Sequence, residues 1–159
     1  MLTHLDEAGR PRMVDVTAKN VSDRTAVAEG ILVTRPETLE LIEKSGGGPK
    51  GDPLVTASIA GIQAAKRTSD LIPLCHPLPL SSVDVVVVPD ESIPGIRATA
   101  TVRVTGRTGV EMEALTAVAM ALLTAWDMLK AVDQEMRIED VRLLSKTGGR
   151  SDVGSVRKA

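Results

Sequence analysis

The segment from Ile96 to Thr105 alternates strictly between apolar and polar residues, and this pattern constrains the fold more than any other part of the chain. A period of two places alternate side chains on opposite faces of a β-strand. A β-branched run, Val83–Val88, precedes it, and the residues from Pro89 to Gly95 have the composition of a turn. Together they predict an antiparallel hairpin with one buried face, which needs a second layer to cover it.

Two shorter segments carry helix signals that suit such a layer. Thr34 and Glu37 have the spacing of a capping box, which predicts a short helix that runs to about Lys44. Asp52 and Pro53 suit the N-cap and the first helical position of a second helix. We expect this second helix to end before the Pro-rich loop that follows it.

A longer helix is predicted from about Gly109 to Val132, where Thr108 and Glu111 again have capping-box spacing. Apolar residues recur on one face at helical spacing, namely Leu115, Val118, Leu122, Trp126 or Ala125, and Leu129. The helix is rich in alanine, which allows close packing, including packing on another subunit.

Three further segments are predicted to be strands. Met13–Lys19 and Ala26–Thr34 come before the first helix, and Met136–Lys146 closes the chain. The apolar phase of the last strand changes between Ile138 and Val141, so we expect a β-bulge near Glu139. The sequence therefore predicts an α+β fold, a ferredoxin-like two-layer sandwich with helices on one face of an antiparallel sheet. We expect one domain over residues 1–159, with mobile segments at 1–12 and 147–159.

Composition narrows the possible partners. The chain has no Phe and no Tyr, and Trp126 is its only aromatic residue, so modules that stack nucleic-acid bases on aromatic rings are excluded. The net charge of −2 also argues against a general nucleic-acid binder. No apolar run approaches the roughly 20 residues of a membrane span, and no signal peptide is evident. Cys75 is the only cysteine, which fits a cytoplasmic protein.

Lys50 and the Cys75-His76 pair are the first candidates for chemistry. Lys50 follows a glycine-rich loop just before a predicted helix N-terminus, which suits phosphate, although the spacing is not that of a Walker A motif. His76 lies on a loop stiffened by prolines and suits ligand recognition or proton transfer. On these features alone a solvated Lys50 and a buried Cys75 are the simpler interpretations, and a structural His76 is as compatible as a functional one.

The long helix carries two pairs of charged residues of interest. Glu111 and Glu113 lie in its first turn, where either could pair with a guanine-like edge, and Glu111 also suits capping by Thr108. Asp127 and Lys130 are three residues apart, so they are either a surface ion pair or a proton-transfer pair. Fourteen residues of helix separate Glu113 from Asp127, about 21 Å at 1.5 Å per residue. The ligand is therefore long, or a second subunit completes the site.

Further cations complete the set. The remaining candidates are Lys19, Arg24, Lys66, Arg67 and Lys146. Each of them alone is explained as a solvated side chain. Together with Lys50 and Lys130 they could surround several phosphates. Zinc is not expected because no second cysteine and no suitably spaced histidine accompany Cys75.

Several long strings of residues jointly resemble one protein family. They are Met13–Val16, Lys50–Asp52, Ala60–Thr68, Leu71–Leu78, Thr105–Thr116, Asp127–Val132 and Ser145–Gly149. With these strings the chain resembles the cyclic pyranopterin monophosphate synthase family (molybdenum cofactor biosynthesis protein C family) from about Met13 to Gly149. The departures lie in the first dozen residues, the loop before Lys50 and the extreme C-terminus, with Arg150 where the family also has Lys.

The resemblance implies an activity and an assembly. The activity is that of a lyase converting 3′,8-cyclo-7,8-dihydro-GTP to cyclic pyranopterin monophosphate and diphosphate, early in molybdenum cofactor biosynthesis. The assembly is a homohexamer, a trimer of dimers with active sites between subunits. No cofactor is implied, and it stays open whether Mg²⁺ accompanies the substrate phosphates. The alternative is a non-catalytic regulatory module that binds a nucleotide or pterin; a metal-dependent cyclohydrolase would need ligands that this chain lacks.

The resemblance also assigns roles residue by residue. Asp127 matches the catalytic aspartate, and Lys130 and Lys50 match essential lysines. The substrate-binding segments are matched by Leu74, Cys75 and His76 and by Met112 and Glu113. Further pocket residues are matched by Lys19, Arg24, Lys66, Glu111 and Lys146.

Overall fold

A computed structural model describes residues 4–45, 51–149 and 152–154. Its elements, in chain order, are β1 (Ser22–Val33), α1 (Pro36–Ser45), α2 (Pro53–Lys66), α3 (Thr68–Leu71), β2 (Ser82–Asp90), β3 (Gly95–Gly106), α4 (Glu111–Leu129), β4 (Arg137–Thr147) and β5 (Val153–Gly154).

The strands form a single antiparallel sheet in the order β2-β3-β1-β4-β5. Strand β3 lies between β1 and β2, and β1 lies between β3 and β4, so each helical connection crosses over one intervening strand. Helices α2 and α4 pack on the sheet and on each other. The predicted α+β two-layer sandwich with an antiparallel sheet is confirmed, and the strand order is that of a ferredoxin-like arrangement.

The alternation in β3 is realised as predicted. Ile96, Ala98, Ala100 and Val102 are fully buried and Val104 is nearly so. The intervening polar residues lie on the other face, where Arg97 forms ion pairs with Glu29 and Asp90. The turn is shorter than predicted, because β2 continues to Asp90 and pairs with Gly95.

Small residues let α2 and α4 approach closely. Ala114, Ala117, Ala121 and Ala125 of α4 are fully buried. A Cβ atom on Gly61 of α2 would lie 2.9 Å from the carbonyl oxygen of Ala117, closer than real Cβ atoms come. A core without Phe or Tyr is therefore filled by short side chains and a short distance between the layers.

The predicted strand at Met13–Lys19 is wrong. This segment is a loop in which Asp15 accepts a hydrogen bond from the backbone N–H of Thr17, at 2.8 Å. The N–H of Lys19 closes a turn on the carbonyl of Val16, at 3.0 Å. The alternating pattern is present, but these local hydrogen bonds satisfy the backbone without a neighbouring strand.

Both predicted capping boxes are wrong. Helix α4 begins at Glu111, no side chain among the described residues caps its first turn, and the hydroxyl of Thr108 donates to the carbonyl of Gly109. The hydroxyl of Thr34 likewise donates to carbonyl groups rather than accepting from α1. The cap predicted for α2 is confirmed, because Asp52 accepts from the N–H groups of the second and third helical residues.

The remaining boundaries follow the sequence closely. Helix α1 runs to Ser45, as predicted, whereas α4 ends at Leu129, three residues before the predicted end. The predicted bulge in β4 is confirmed by a shift in its register with β1 beside Glu139, where Asp140 has φ of 52°. Bulges re-aim the strand that carries them, here the strand that delivers Lys146 to the cavity described below.

Length and mean hydropathy alone would let α4 cross a membrane. Half of that segment is buried inside the protein, against the sheet and α2. This is the pattern of a core helix in a two-layer sandwich.

Candidate active site

A cavity of about 430 Å³ opens beside the N-terminus of α4. It is bounded by the loop before β1, the start of β1, the approach to α4 and the end of β4. Four of the predicted pocket residues line it, and they are Lys19, Arg24, Glu111 and Lys146. The structure thus brings together cations that are far apart in sequence.

Strand pairing brings Arg24 and Lys146 to the same edge. Arg24 lies near the start of β1, and Lys146, near the end of β4, pairs with Ala26. The guanidinium of Arg24 is held by donation to the carbonyl of Gly106, at 3.0 Å. Antiparallel neighbours meet in this way because the start of one strand lies beside the end of the other.

Glu111 supplies the one carboxylate among the charged residues that line this cavity. Its Oε1 accepts a hydrogen bond from the ammonium of Lys146, at 3.0 Å, and both side chains are about 30% exposed. Glu111 is therefore not the partner of Thr108 that its spacing suggested. An arriving anion would compete with this carboxylate for Lys146.

The glycines after β4 shape the cavity wall, although they carry no charge that would mark them as pocket residues in the sequence. Gly148 has φ of +84°, and a Cβ atom there would overlap the carbonyl of Asp23. Its own carbonyl accepts from the hydroxyl of Ser22, at 2.7 Å. Gly148 and Gly149 line the cavity together with Thr108 and Gly109. The Gly-Gly pair in the sequence is the signal that could have found this wall, because a left-handed backbone favours glycine.

Glu113 lies two residues further along α4, about half a helical turn, and is buried, with 3% exposure. The thiol of Cys75 donates to its Oε1 at 3.5 Å, whereas Oε2 has no hydrogen-bond partner among the described residues. Burial raises the pKa of Glu113. Burial, and then the carboxyl of Glu113, raise the pKa of the Cys75 thiol to about 11. The pair is thus neutral over a wider pH range than isolated groups would be, and Cys75 is not a nucleophile at neutral pH.

The Pro-rich loop reaches this end of α4 from the side. His76 donates from Nε2 to the carbonyl of Val14, at 2.8 Å, and so holds the loop that leads to Lys19. Leu74 is partly buried beside Cys75, and Met112 is 38% exposed. The predicted substrate-binding segments therefore lie on the same end of the molecule as the cation-lined cavity.

Lys66 is not part of that cavity. It lines a smaller depression of about 270 Å³ at the end of α2, with Ile62, Leu78 and Leu80. The prediction that Lys66 joins the other cations is not met within one chain, because α2 ends on the edge of the sheet formed by β2.

Asp127 and Lys130 lie at the opposite end of α4. The Lys130 ammonium contacts Oδ1 of Asp127 at 2.5 Å, and more than half of each side chain is exposed. Because α4 is continuous from Glu111 to Leu129, about 21 Å of helix separates Glu113 from Asp127. Lys50, the third predicted catalytic residue, lies outside the described residues.

Metal ligands are not gathered in the part of the chain that the structure describes. Within residues 4–45, 51–149 and 152–154, no three His, Cys, Asp or Glu side chains lie close enough to hold an ion together.

The fold and the site together define a ferredoxin-like α+β protein with a cation-lined cavity at the N-terminal end of α4, the kind of cavity that suits an anionic small molecule. Residues 13–149 match the family described as the MoaC family. The chain belongs to that family.

Relatives agree over almost the whole chain. A protein of Methylobacterium sp. (strain 4-46) named cyclic pyranopterin monophosphate synthase is 64% identical over 150 residues, which cover 94% of this chain and 93% of the relative. A protein of the same name from Methylobacterium nodulans is 61% identical over the same shares of both chains. Another, from Dinoroseobacter shibae, is 55% identical and covers 94% of both chains.

Proposed function

We propose that this chain is a cyclic pyranopterin monophosphate synthase. In this proposal it is a lyase that converts 3′,8-cyclo-7,8-dihydro-GTP to cyclic pyranopterin monophosphate and diphosphate, an early step of molybdenum cofactor biosynthesis. The observation that carries the proposal is the cavity in which Lys19, Arg24 and Lys146 converge beside Glu111, in a chain whose relatives bear that name. The names of the relatives do not favour the non-catalytic alternative.

The cations of the cavity are suited to the phosphate end of the substrate. Three positive side chains offset the charge of a triphosphate, and Arg24 is already held in place by Gly106. Lys50, which precedes α2 in sequence, would add a further cation, whereas the first N–H groups of α2 are already taken by Asp52. We propose no resident metal or cofactor; Mg²⁺, if required, would arrive with the phosphates.

The buried carboxyl is suited to the base end. A guanine-type edge presents a ring N–H and an amino group, and the unpartnered Oε2 of Glu113 is an acceptor for such donors. The Cys75-His76 loop packs against this carboxyl from the side. A ligand that satisfied the carboxyl would offset the cost of burying it.

Asp127 and Lys130 are assigned to proton transfer. In this assignment they move protons while the five-membered ring opens and the pterin ring closes. In the last step a hydroxyl derived from the ribose loses its proton and attacks the innermost phosphorus. A new phosphorus–oxygen bond forms, the bond to the diphosphate oxygen breaks, and diphosphate leaves with its electron pair. Positioning and charge stabilisation dominate such a step.

A second copy of the chain is needed to unite the two ends of α4 around one compact substrate. We propose a homo-oligomer, a hexamer built as a trimer of dimers, in which the cavity of one subunit faces Asp127 and Lys130 of its neighbour. Apolar side chains on the outer surface of the helices support this, because Val55, Ile59 and Leu123 are each more than 50% exposed. We place the reaction in the cytoplasm, where a lone cysteine suits the reducing conditions.

The test of the proposed function is turnover by the purified protein of 3′,8-cyclo-7,8-dihydro-GTP, followed as release of diphosphate and formation of the pterin. We expect Lys130→Ala to reduce kcat by about 10²-fold or more, the usual effect of losing a general acid or base. Lys44→Ala, in an exposed i,i+4 ion pair on α1, is the matched control and should leave kcat unchanged. Unchanged turnover in Lys130→Ala would remove Lys130 from the chemistry, and no turnover by the wild type would refute the proposal itself.

A further inference from the structure

Asp133 is a buried carboxylate in the turn that follows α4, and only 1% of it is exposed. It lies outside the cavity and outside the residues assigned above to binding or proton transfer. A carboxylate is rarely buried unless several partners hold its charge.

The partners of Asp133 lie at the start of α1. Its Oδ2 accepts from the backbone N–H of Arg35, at 2.9 Å, and from the hydroxyl of Thr38, at 3.1 Å. Its Oδ1 accepts from the N–H of Glu135, at 3.1 Å, and lies 3.5 Å from the Arg35 guanidinium. Burial raises the pKa of Asp133, but these hydrogen bonds outweigh burial and leave the pKa below its ordinary value. One ionised carboxylate therefore fastens the turn after α4 to the first turn of α1.

The same turn carries Lys130. The N–H of Lys130 donates to the carbonyl of Trp126, at 2.9 Å, and the N–H groups of Val132 and Asp133 both donate to the carbonyl of Leu129, at 2.9 and 3.1 Å. The Arg35 guanidinium also donates to the carbonyl of Val132. From Lys130 to Asp133 the backbone is thus one hydrogen-bonded turn that is anchored at its far end.

We propose that Asp133 is a positioning residue for Lys130. Its bonds to α1 hold the turn that ends α4, and so fix where the Lys130 ammonium points and how it meets Asp127. This inference rests on the proposed function, in which Lys130 takes part in the chemistry.

Two features indicate that Asp133 places Lys130 and does not only stabilise the fold. The Lys130 ammonium contacts Asp127 in the preceding turn, so the position of the pair depends on the backbone at the end of α4. The last turn of a helix frays unless something outside the helix holds it. Helix α1 ends at Ser45, shortly before Lys50 in sequence, so Asp133 joins the elements that flank both lysines assigned to the reaction.

The first experiment compares Asp133→Asn with the wild type in steady-state turnover of the cyclised dihydro-GTP. The amide keeps the shape of the side chain but loses the charge and one acceptor. We expect kcat to fall about tenfold while KM stays within about twofold, because a displaced proton-transfer group weakens the transition state more than substrate binding. Thr38→Val, which removes one bond from the same carboxylate, should show a smaller fall in kcat and guards against misfolding of the first variant.

The control is a variant of comparable stability loss elsewhere. Val87→Ala removes buried methyl groups from β2, a strand that carries neither Asp133 nor any of its hydrogen-bond partners, and should lower the melting temperature without changing kcat at 25 °C. A fall in kcat of the same size in Val87→Ala and Asp133→Asn would overturn the positioning role.

The second experiment does not depend on turnover. Amine acetylation of the free protein is followed by mass spectrometry, with Lys44 and Lys66 as internal references. We expect Asp133→Asn to change the acetylation rate of Lys130 severalfold and to leave both reference lysines unchanged. An unchanged Lys130 rate in a destabilised protein would reduce Asp133 to a structural residue. If the wild type does not turn over the substrate, the proposed function fails, while the labelling still decides whether Asp133 positions Lys130.

Discussion

Glu113 is a buried carboxyl whose surroundings supply few hydrogen bonds to stabilise a negative charge. One carboxyl oxygen accepts a weak bond from the Cys75 thiol, and the other has no partner among the described residues. Such a group costs stability unless it binds something. We therefore expect a ligand that donates a hydrogen bond to Glu113 to recover this lost stability on binding.

The first prediction concerns the pH dependence of stability. Because burial raises the pKa of Glu113, the folded chain keeps a proton on this carboxyl at pH values where the unfolded chain has lost it. Its contribution is therefore most favourable below the ordinary value of 4.5 and declines as the pH rises through the raised pKa. Glu113→Gln should remove this decline and gain about 1 kcal/mol relative to wild type at pH 7, while turnover is lost.

Chemical denaturation of both proteins between pH 4 and pH 8 measures this difference. Glu43→Gln, on an exposed position of α1, is the control and should show a flat difference across the range. A Glu113→Gln variant less stable than wild type at pH 7, with turnover retained, would contradict both the cost and the binding role.

Residue roles were only partly predictable from the sequence. Lys19, Arg24, Glu111 and Lys146, which were predicted as pocket residues, line one cavity, and each charge stands beside a recognisable string or turn. The burial of Glu113 was not predictable, since Glu111 and Met112 before it remain accessible and its thiol partner lies 38 residues away. Asp133 was missed for the same reason, because most of its partners, in Arg35 and Thr38, lie at a distant helix start.

Helix α2 lies against α4 at a distance that only glycine allows. Alanine at position 61 would gain up to about 1 kcal/mol in helix propensity, but its Cβ would press on the Ala117 carbonyl at 2.9 Å and on Val85 at 3.0 Å. Neither neighbour is the flexible end of a long side chain. We therefore expect Gly61→Ala to lower the free energy of unfolding by about 1–3 kcal/mol, the usual cost of overpacking.

Urea unfolding measures this loss, and Gln63→Ala on the exposed side of the same helix is the control with an expected change near zero. A stabilised Gly61→Ala protein would mean that the gain in helix propensity outweighs the close contact of residue 61 with Ala117 and Val85. Helix α2 could then move away from α4 and β2 at little cost.

Element positions were more predictable than element ends. The hairpin of β2 and β3, the cap of α2 and the bulge in β4 follow from alternation, Asp-Pro and a phase change, all of which are local. The capping boxes at Thr34 and Thr108 failed because tertiary partners claimed the groups involved. Lys146 pairs with Glu111, and the carbonyl of Pro94 accepts the N–H of Thr34. The segment at Met13–Lys19 failed because alternation cannot reveal whether a partner strand exists.

At the scale of the whole molecule, the length of α4 sets the test of assembly. Glu113→Gln and Asp127→Asn are each expected to be inactive. If every site takes Glu113 from one subunit and Asp127 from its neighbour, half of the dimers formed after random exchange are mixed and each has one intact site. Mixing should then restore about one quarter of wild-type turnover.

The measurement is turnover after exchange, with mass spectrometry showing that mixed dimers have formed. The control mixes Glu113→Gln with Lys146→Ala, two changes that fall in the part of the site supplied by one subunit, so that every site of a mixed dimer keeps one change and no activity should return. Mixing Asp127→Asn with Lys130→Ala gives the matching control at the other end. Proven exchange without recovery in the first mixture would mean that a single chain holds the whole site.

A core almost free of aromatic residues gives this molecule a built-in optical probe. Trp126, the only aromatic residue, donates its indole N–H to the carbonyl of Met136 at 3.1 Å and is the immediate neighbour of Asp127. No tyrosine emission overlaps its signal. Changes in its emission or anisotropy therefore report selectively on the far end of α4, so that arrival of a ligand there can be timed in the unlabelled protein.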